Sequence, residues 1–450
     1  MRNTMDLTRG SVTKTLWVFT IPIIISNLLQ QLYNAADVIV VGQFAGKLAL
    51  AAVGSTAAPT TMMVNLFVGL SIGTNVICAN LRGARDQAGL DRCMHTAIAL
   101  AALGGLAMTV VGELISRKLL IWMSTPENVL ELAVLYVRIF FLGFPASLVY
   151  NFGAGILRAY GDTRRPMVIL MLSGIINVGL NLLFVITFHM SVAGVALATV
   201  ISQIFSAVAV MALLLDPKGE FRLRLKAMRF HKNALLQILR VGIPCGLNSM
   251  VFSISNVIIQ STVNPFGDTV IAGNTAANSI SAFVYQVLNA FHNACVSFSG
   301  QCYGAKEYRR IDKLFASSLL SCDLLILLLA VLMTVFPRPM ISLYNTDPEV
   351  IDAAIPRLLI ISWGYLIYTV SELALGCLRG IGKTTIPTVL NIVGICAPRI
   401  LWCMYVVPLA PGHSIIYWCF PVSWIISAAM MVIYYLVARR KLQDPAVQTA

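Results

Sequence analysis

The sequence contains little charge. Only 11% of its 450 residues are Asp, Glu, Lys or Arg, whereas soluble domains usually carry about 25%. Hydrophobic residues make up 58% of the chain, and the mean hydropathy is +0.82. Four long runs contain no charged residue at all, and they span residues 48–81, 167–215, 269–305 and 400–438. This composition excludes a soluble protein and predicts a polytopic membrane protein.

Several chemical motifs are absent as well. The ten cysteines form no C-x-x-C pair and the five histidines show no ligand spacing, so we expect neither a metal site nor a disulfide framework. No H-E-x-x-H element occurs, which argues against a membrane enzyme. No repeated pore loop is visible, which argues against an ion channel. We therefore expect no enzymatic activity, no metal and no cofactor.

The chain is internally repeated. A Leu-Arg-x-x-Gly-x-x-x-x-Pro element runs from Leu157 to Pro166 and occurs again, in the second half of the chain, from Leu378 to Pro387. Three further pairs follow at the same offset in the numbering or one position beyond it, namely Gly83-Ala84-Arg85 with Gly304-Ala305-Lys306, Thr125-Pro126-Glu127 with Asp347-Pro348-Glu349, and Pro22 with Pro244. Internal repeats in such an apolar chain are typical of transporters.

The apolar runs and turn residues predict twelve transmembrane helices, since one span needs about 20 apolar residues. We place them at residues 15–42, 52–79, 93–118, 128–156, 166–188, 192–215, 234–263, 272–300, 314–336, 350–377, 386–408 and 414–438. Six crossings return the chain to the side on which it started, so the two halves form parallel repeats. The predicted fold is therefore an all-α polytopic membrane protein with an N-lobe (1–215), a linker (216–233), a C-lobe (234–438) and a tail (439–450).

Basic residues predict the orientation. With the N-terminus in the cytoplasm, 25 of the 32 Lys and Arg residues fall in cytoplasmic segments, as the positive-inside rule requires. Both termini and the linker are then cytoplasmic, in a bacterial-type inner (plasma) membrane. The net charge of +13 forms a rim that faces anionic lipid headgroups. We expect the bilayer as a partner, no nucleic acid, and a monomer.

Polar residues within the apolar helices are the candidate functional residues. A polar side chain in hydrocarbon costs free energy, so its presence there points to a function. Asp37 is the strongest candidate because it carries a carboxylate. We interpret it as part of one pocket in the N-lobe, since the other polar residues share its helix face or lie near it in membrane depth. These other residues are Tyr33, Asn34, Asn177, Asn181 and Thr199. For the neutral residues, hydrogen bonding between helices is an equally good interpretation.

The remaining intramembrane charges have more than one interpretation. Arg138 lies in the outer half of the fourth helix, where it is a candidate counter-ion for Asp37. Glu372 is either a solvated carboxylate in an inward-facing cavity or the ion-pair partner of Arg399. Arg357 lies near the outer end of its helix, where a long side chain can extend to the interface.

Two further residues interrupt or line the helices. Pro22 breaks the hydrogen-bond ladder of the first helix and is a candidate hinge, with a static kink as the alternative. His292 lies well inside a span, beside two asparagines, and we interpret it as a packed polar residue in preference to a proton relay.

The sequence resembles the multidrug and toxic compound extrusion (MATE) family. The resemblance rests on the repeated element described above, on Tyr33-Asn34-Ala35-Ala36-Asp37 followed by Val41-Gly42, and on Asn177 with Asn181. It implies a secondary antiporter with two six-helix lobes that exports organic, often cationic, compounds by alternating access. It also implies that Asp37 is the coupling carboxylate, in a pocket lined by Asn177, Asn181 and Thr199.

Ligand chemistry favours H⁺ over Na⁺ as the coupling ion. Relatives in this family often have Asp at the position of Asn181, so this pocket offers a single carboxylate, and a weak Na⁺ site at Asp37 is the alternative. Sodium needs several oxygen ligands, whereas a proton needs only Asp37. A lipid-linked saccharide flippase is the alternative function, although the chain has only three intramembrane basic residues, Arg138, Arg357 and Arg399.

Overall fold

The structure is a computed structural model that describes residues 4–123, 125–216, 221, 223–409 and 412–443. Pro217–Glu220 and Arg222 of the predicted linker, and residues 444–450 of the predicted tail, lie outside the described residues. Within the described part, the regular secondary structure is entirely helical, without a strand. The all-α class is therefore confirmed.

Sixteen α-helices occur in the described residues. They are α1 (Val12–Val40), α2 (Lys47–Gly83), α3 (Gln87–Trp122), α4 (Glu127–Leu142), α5 (Phe144–Ala159), α6 (Arg164–Leu182), α7 (Ser191–Leu215), α8 (Lys232–Val263), α9 (Asp268–Gly304), α10 (Tyr308–Val335), α11 (Pro337–Ser342), α12 (Pro348–Gly380), α13 (Thr385–Asn391), α14 (Ala397–Leu401), α15 (Ser414–Tyr417) and α16 (Cys419–Gln443). In the described residues, ten helical segments are long and apolar enough to cross a membrane, or eleven when α4 and α5 count as one bent span.

Each predicted helix corresponds to a helical segment, but three of the twelve are interrupted. The twelfth is divided at Trp418, between α15 and α16. The fourth is divided into α4 and α5, which meet at an angle of 46° where Pro145 removes a backbone donor. The eleventh is divided into α13 and α14, with π-helical turns at Ile392–Cys396 and Trp402–Val406. Pro398 lies between these turns and cannot complete an ordinary helical ladder.

The backbone repeats with the sequence. Arg85 and Lys306, which the sequence repeat pairs, adopt positive φ angles of 57° and 61° after α2 and α9. Gly46 and Gly267, at the same offset, have φ angles of 88° and 92°. A positive φ is rare for a residue with a side chain, so matching turns at matching positions support the internal duplication.

The described chain forms two compact units. The first contains Met1–Asp6 and Ile25–Gly246, and the second contains Leu7–Ile24 and Leu247–Ala450. Pro22 lies inside α1, close to the residue at which this helix passes from one unit to the other. In the first unit α5 packs against α2, α3 and α7, and in the second α12 packs against α9, α10 and α16. The proposed hinge at Pro22 stays a prediction.

Candidate functional site

Four of the predicted pocket residues form one hydrogen-bonded chain in the first unit. Asn181 on α6 donates from Nδ2 to the carboxylate of Asp37 on α1. The same nitrogen lies 3.3 Å from Asn177 Oδ1, and Asn177 Nδ2 lies 3.5 Å from Thr199 Oγ1 on α7. Three helices therefore contribute to a single polar chain that runs from Asp37 to Thr199.

Helix geometry explains why these side chains meet. Asn177 and Asn181 are one helical turn apart, so they lie on one face of α6, and both are buried. One turn earlier, Ser173 Oγ donates to the carbonyl of Ser202 on α7 at 2.8 Å. The α6–α7 seam is thus polar along three turns, and Asp37 lies at one end of its hydrogen-bonded chain.

The carboxylate of Asp37 has no cationic partner among the described residues. Arg138, the predicted counter-ion, pairs instead with Glu113 at 3.5 Å. These two side chains extend from neighbouring helices α4 and α3 and are about half exposed, so their ion pair forms without entering the pocket. Asn181 Oδ1 is buried and has no hydrogen-bond partner in the described chain. The pocket therefore combines one unpaired negative group with one unused oxygen acceptor.

Tyr33 and Asn34 do not join this chain. The hydroxyl of Tyr33 donates to the carbonyl of Met171 at 3.1 Å, and its ring lies so close to Gly174 that a β-carbon there would clash with it. Tyr33 therefore packs α1 against α6. Asn34 is exposed and makes no hydrogen bond to the described residues.

The second unit contains a buried group that the sequence interpretation missed. His292 Nδ1 lies 3.1 Å from Glu372 Oε1, and His292 Nε2 lies 3.2 Å from Arg379 Nη1. An Arg nitrogen can only donate, so Nε2 must accept and Nδ1 carries the proton. Nδ1 donates this proton to the backbone carbonyl of Glu372 at 2.9 Å. Glu372 is thus neither solvated nor paired with Arg399, which donates to Ser423 Oγ at 3.1 Å instead.

One short element mimics an enzyme motif. Gly69-Leu70-Ser71-Ile72-Gly73 fits G-x-S-x-G, in which serine sits on a sharp turn between a strand and a helix. Here the five residues lie inside α2, and Ser71 Oγ donates to the carbonyl of Val68. Ser71 therefore has the structural setting of a helix residue and lacks that of a catalytic nucleophile.

The described residues contain neither a disulfide nor a cluster of side chains that could hold a metal ion. All ten cysteines are buried, and none forms a disulfide among the described residues. No group of three or more His, Cys, Asp or Glu side chains is arranged to hold a metal ion within this part of the chain. The weak Na⁺ site at Asp37 stays a prediction.

Comparison with known proteins identifies the family. The MatE family model matches the chain twice, over residues 22–183 and 244–403. The probable multidrug resistance proteins YoeA and YpnP of Bacillus subtilis are each 27% identical to it, YoeA over 87% of this chain and 86% of its own length, and YpnP over 86% and 87%. A solved MOP superfamily transporter from Pyrococcus furiosus matches 98% of both chains with a TM-score of 0.91 and 23% identity. Since the family model covers most of both halves, the chain belongs to the multidrug and toxic compound extrusion family of membrane transporters.

Proposed function

We propose that the protein is a secondary antiporter that exports organic, cationic or amphipathic compounds in exchange for inward H⁺. It works by alternating access in the inner membrane, with both termini in the cytoplasm, and it catalyses no chemical reaction. The observation that carries this proposal is the carboxylate of Asp37, whose described hydrogen-bond partner is a neutral amide, that of Asn181.

Such a carboxylate is suited to bind two ligands in turn. A negative group inside the membrane without a cationic partner is stabilised either by a proton or by a cationic ligand. Binding of one ligand therefore opposes binding of the other, which is the exchange that an antiporter needs. Asp37 serves both functions, since the side chains joined to it in the hydrogen-bonded chain, Asn181, Asn177 and Thr199, are not titratable.

The available driving force is sufficient for export. One charge that moves through about 100 mV yields roughly 2.3 kcal/mol. That free energy sustains a concentration ratio of roughly fifty. A single proton per transported compound therefore gives useful accumulation outside the cell.

The oxygen inventory of the pocket favours H⁺ over Na⁺. Asn177 Oδ1 already accepts from Asn181, and Thr199 Oγ1 already accepts from Asn177 Nδ2 at 3.5 Å. Besides Asp37, only Asn181 Oδ1 remains without a partner among these described side chains. Sodium needs several oxygens to replace its hydration shell, whereas a proton needs only the carboxylate.

Transport in proteoliposomes tests the coupling. We expect ethidium movement under a pH gradient in Na⁺-free buffer, and none under a Na⁺ gradient at equal pH. Asp37→Asn should abolish the driven movement, because it removes the titratable charge while keeping the shape of the side chain. Glu113→Gln is the matched control, since this carboxylate pairs with Arg138 outside the pocket, and it should retain transport. Movement driven by Na⁺ alone would overturn the proposed coupling ion.

Labelling from one side of the membrane tests the orientation. Lys226 is exposed in the described part of the linker, so Lys226→Cys is accessible on whichever side the linker occupies. An impermeant maleimide added to intact cells should leave this cysteine unlabelled, and added to everted vesicles it should react. The reverse pattern would place both termini outside the cytoplasm.

A further inference from the structure

Two buried guanidinium groups in the second unit have no carboxylate partner. Arg357 on α12 is 6% exposed and Arg399 on α14 is 3% exposed. Arg357 therefore does not extend to the interface as the sequence had suggested. Glu372, the buried carboxylate of this unit, is held by His292. No ion pair joins either arginine to Asp or Glu within the described residues.

Aromatic rings take the place of counter-ions. The Cζ atom of Arg399 lies 4.4 Å from the centroid of the Phe420 ring, and that of Arg357 lies 5.8 Å from the same centroid. Arg399 also faces Trp424, and Arg357 also faces Tyr417, each at 5.8 Å. A ring face attracts a cation, but it does not replace the oxygen acceptors that a guanidinium normally finds.

Many donors of the two groups are unused. Arg357 donates to Asn274 and, at 2.7 Å, to Asn278, while its buried Nε has no partner in the described chain. Arg399 donates from Nε to Ser423, and its two terminal nitrogens make no hydrogen bond to the described residues. A guanidinium carries five N–H groups, so each arginine keeps donors available for an additional acceptor.

A polar path leads to these donors. Asn278, which holds Arg357, is exposed on α9, as are Thr275 one turn earlier and Tyr285 two turns later. Polar side chains on a membrane helix face protein or water in preference to lipid. The exposed face of α9 therefore gives a solute in water access to Arg357.

We propose that Arg357, Arg399 and Phe420 form a binding site for a small organic oxyanion, a carboxylate or a phosphate. Paired N–H donors of arginine match the oxygens of these groups, and the ring of Phe420 offers a surface to the apolar part of the same molecule. Asn274, Asn278 and Ser423 fix the two guanidiniums. The site is separate from Asp37, and it extends the substrate range beyond cations to anions and zwitterions.

Calorimetric titration of the full-length protein in phosphatidylcholine nanodiscs tests the site without measuring transport, so its result is independent of the proposed coupling. The probes are 2-naphthoate, 2-naphthalenemethanol and 2-naphthylmethylammonium, which share one ring system and differ in charge. We expect 2-naphthoate to bind at least tenfold more tightly than the other two. Equal binding of all three would overturn the proposal.

Variants locate the site. Arg357→Gln and Arg399→Gln should each weaken 2-naphthoate binding about tenfold or more, consistent with loss of a charge-assisted hydrogen bond. Arg399→Lys keeps the charge but loses the planar fork, so it should fold normally and show a smaller loss. Arg338→Gln is the control, because this arginine is exposed and pairs with Asp352, and its affinity should equal that of the wild type. Unchanged affinity in Arg399→Lys and in both Gln variants would contradict the assignment.

A second lipid composition distinguishes two sources of the oxyanion. Nanodiscs that contain phosphatidylglycerol present the same phosphate chemistry as part of a lipid headgroup. If the site serves free organic anions, 2-naphthoate should bind equally well in both lipids. Loss of 2-naphthoate binding in phosphatidylglycerol, together with lipid binding that depends on Arg399, would assign the site to a headgroup and overturn the organic-anion proposal.

Discussion

Gly155 and Gly376 occupy corresponding positions in the two halves of the repeat. A β-carbon on Gly155 would lie 3.1 Å from the carbonyl oxygen of Ser71, and one on Gly376 would lie 3.0 Å from that of His292. Ser71 and His292 are themselves related by the same offset, so the same helix contact is present in both units. The two halves share small residues and close backbone contacts at corresponding positions. They differ in the polar side chains placed on that common frame.

The difference lies in the sign of the buried charge. The first unit holds an unpaired carboxylate, Asp37, among neutral amides. The second holds Arg357 and Arg399 among aromatic rings. Arg399 lies on the segment that corresponds to α6, where the offset that relates Pro166 to Pro387 aligns it with Val178, next to Asn177. The two proposals therefore assign ligands of opposite charge to the two halves of one duplicated scaffold. They place ion coupling in the first unit and recognition of anionic groups in the second.

The largest expected effect is at Glu372, a position at which the two halves of the repeat differ in charge. Its counterpart in the first half is Asn151, a neutral residue. Glu372→Gln removes the buried carboxylate whose charge acts through space on the buried Arg379, and leaving a buried charge less well compensated should cost a few kcal/mol in order of magnitude. Unfolding in detergent should show this loss. The double variant with Arg379→Gln should recover part of it, whereas a double variant less stable than the single one would contradict the ionic interpretation.

A smaller effect is expected at the glycine contacts. Gly380 corresponds to Ala159, so alanine is tolerated at this position in the first unit. In the second unit a β-carbon on Gly380 would lie 2.5 Å from the carbonyl oxygen of Val296. Gly380→Ala should therefore destabilise the protein by about 1–3 kcal/mol, and Ala159→Gly by about 0.5–1 kcal/mol. Equal losses in the same unfolding assay would show that the two contacts are closer in shape than the structure indicates.

The smallest effect concerns the linker, which hydrogen bonds join to His95 and Thr96 of α3. Arg224 N–H donates to His95 Nε2 at 3.0 Å, and His231 N–H donates to Thr96 Oγ1 at 3.2 Å. Desolvation and the nearby charges of Arg229 and Arg92 lower the pKa of His231. This part of the linker is thus most stable when His231 is neutral, and it should loosen as the pH falls below about 6.5, where an unfolded histidine becomes protonated.

Hydrogen exchange of residues 223–231 at pH 7.5 and pH 5.5 measures that loosening. Exchange should be faster at the lower pH after correction for the intrinsic rate. His231→Gln removes the titrating group and should reduce the difference. A difference of the same size in His231→Gln would assign it to another group.

The sequence indicated which side chains would meet Asp37, because local spacing identifies them; their function as a pocket stays a prediction. Asn177 and Asn181 are one turn apart in an apolar run, and Thr199 lies at the depth of Asp37 on the next helix. Hydrophobic length and turn residues likewise predicted the helical segments. Of these, ten or eleven among the described residues are long and apolar enough to cross a membrane, where the sequence predicted twelve spans. The ion-pair partner of Arg138 was not predictable in the same way, because Glu113 lies on another helix and the pairing depends on how α3 and α4 pack.

The buried polar groups of the second unit were harder to predict for a similar reason. Arg357 and Arg399 are far apart in sequence, and only the packing of α12, α14 and α16 brings both to Phe420. His292 was interpreted as a packed polar residue, and it is buried and hydrogen-bonded. Its partners Glu372 and Arg379 were not predicted, because they lie on another helix, α12. One signal was available in the sequence, since the duplication aligns His292 with Ser71 and Glu372 with Asn151, two ionisable residues opposite two neutral ones.

Proton release on ligand binding tests most directly the central claim that Asp37 exchanges a proton for a cation. Ethidium is added to purified full-length protein in weakly buffered detergent solution near neutral pH, and a pH indicator follows the protons released. We expect release by the wild type and by Glu113→Gln, and none by Asp37→Asn. Equal release from Asp37→Asn, or ethidium binding to the wild type with no release across the pH range, would contradict this claim.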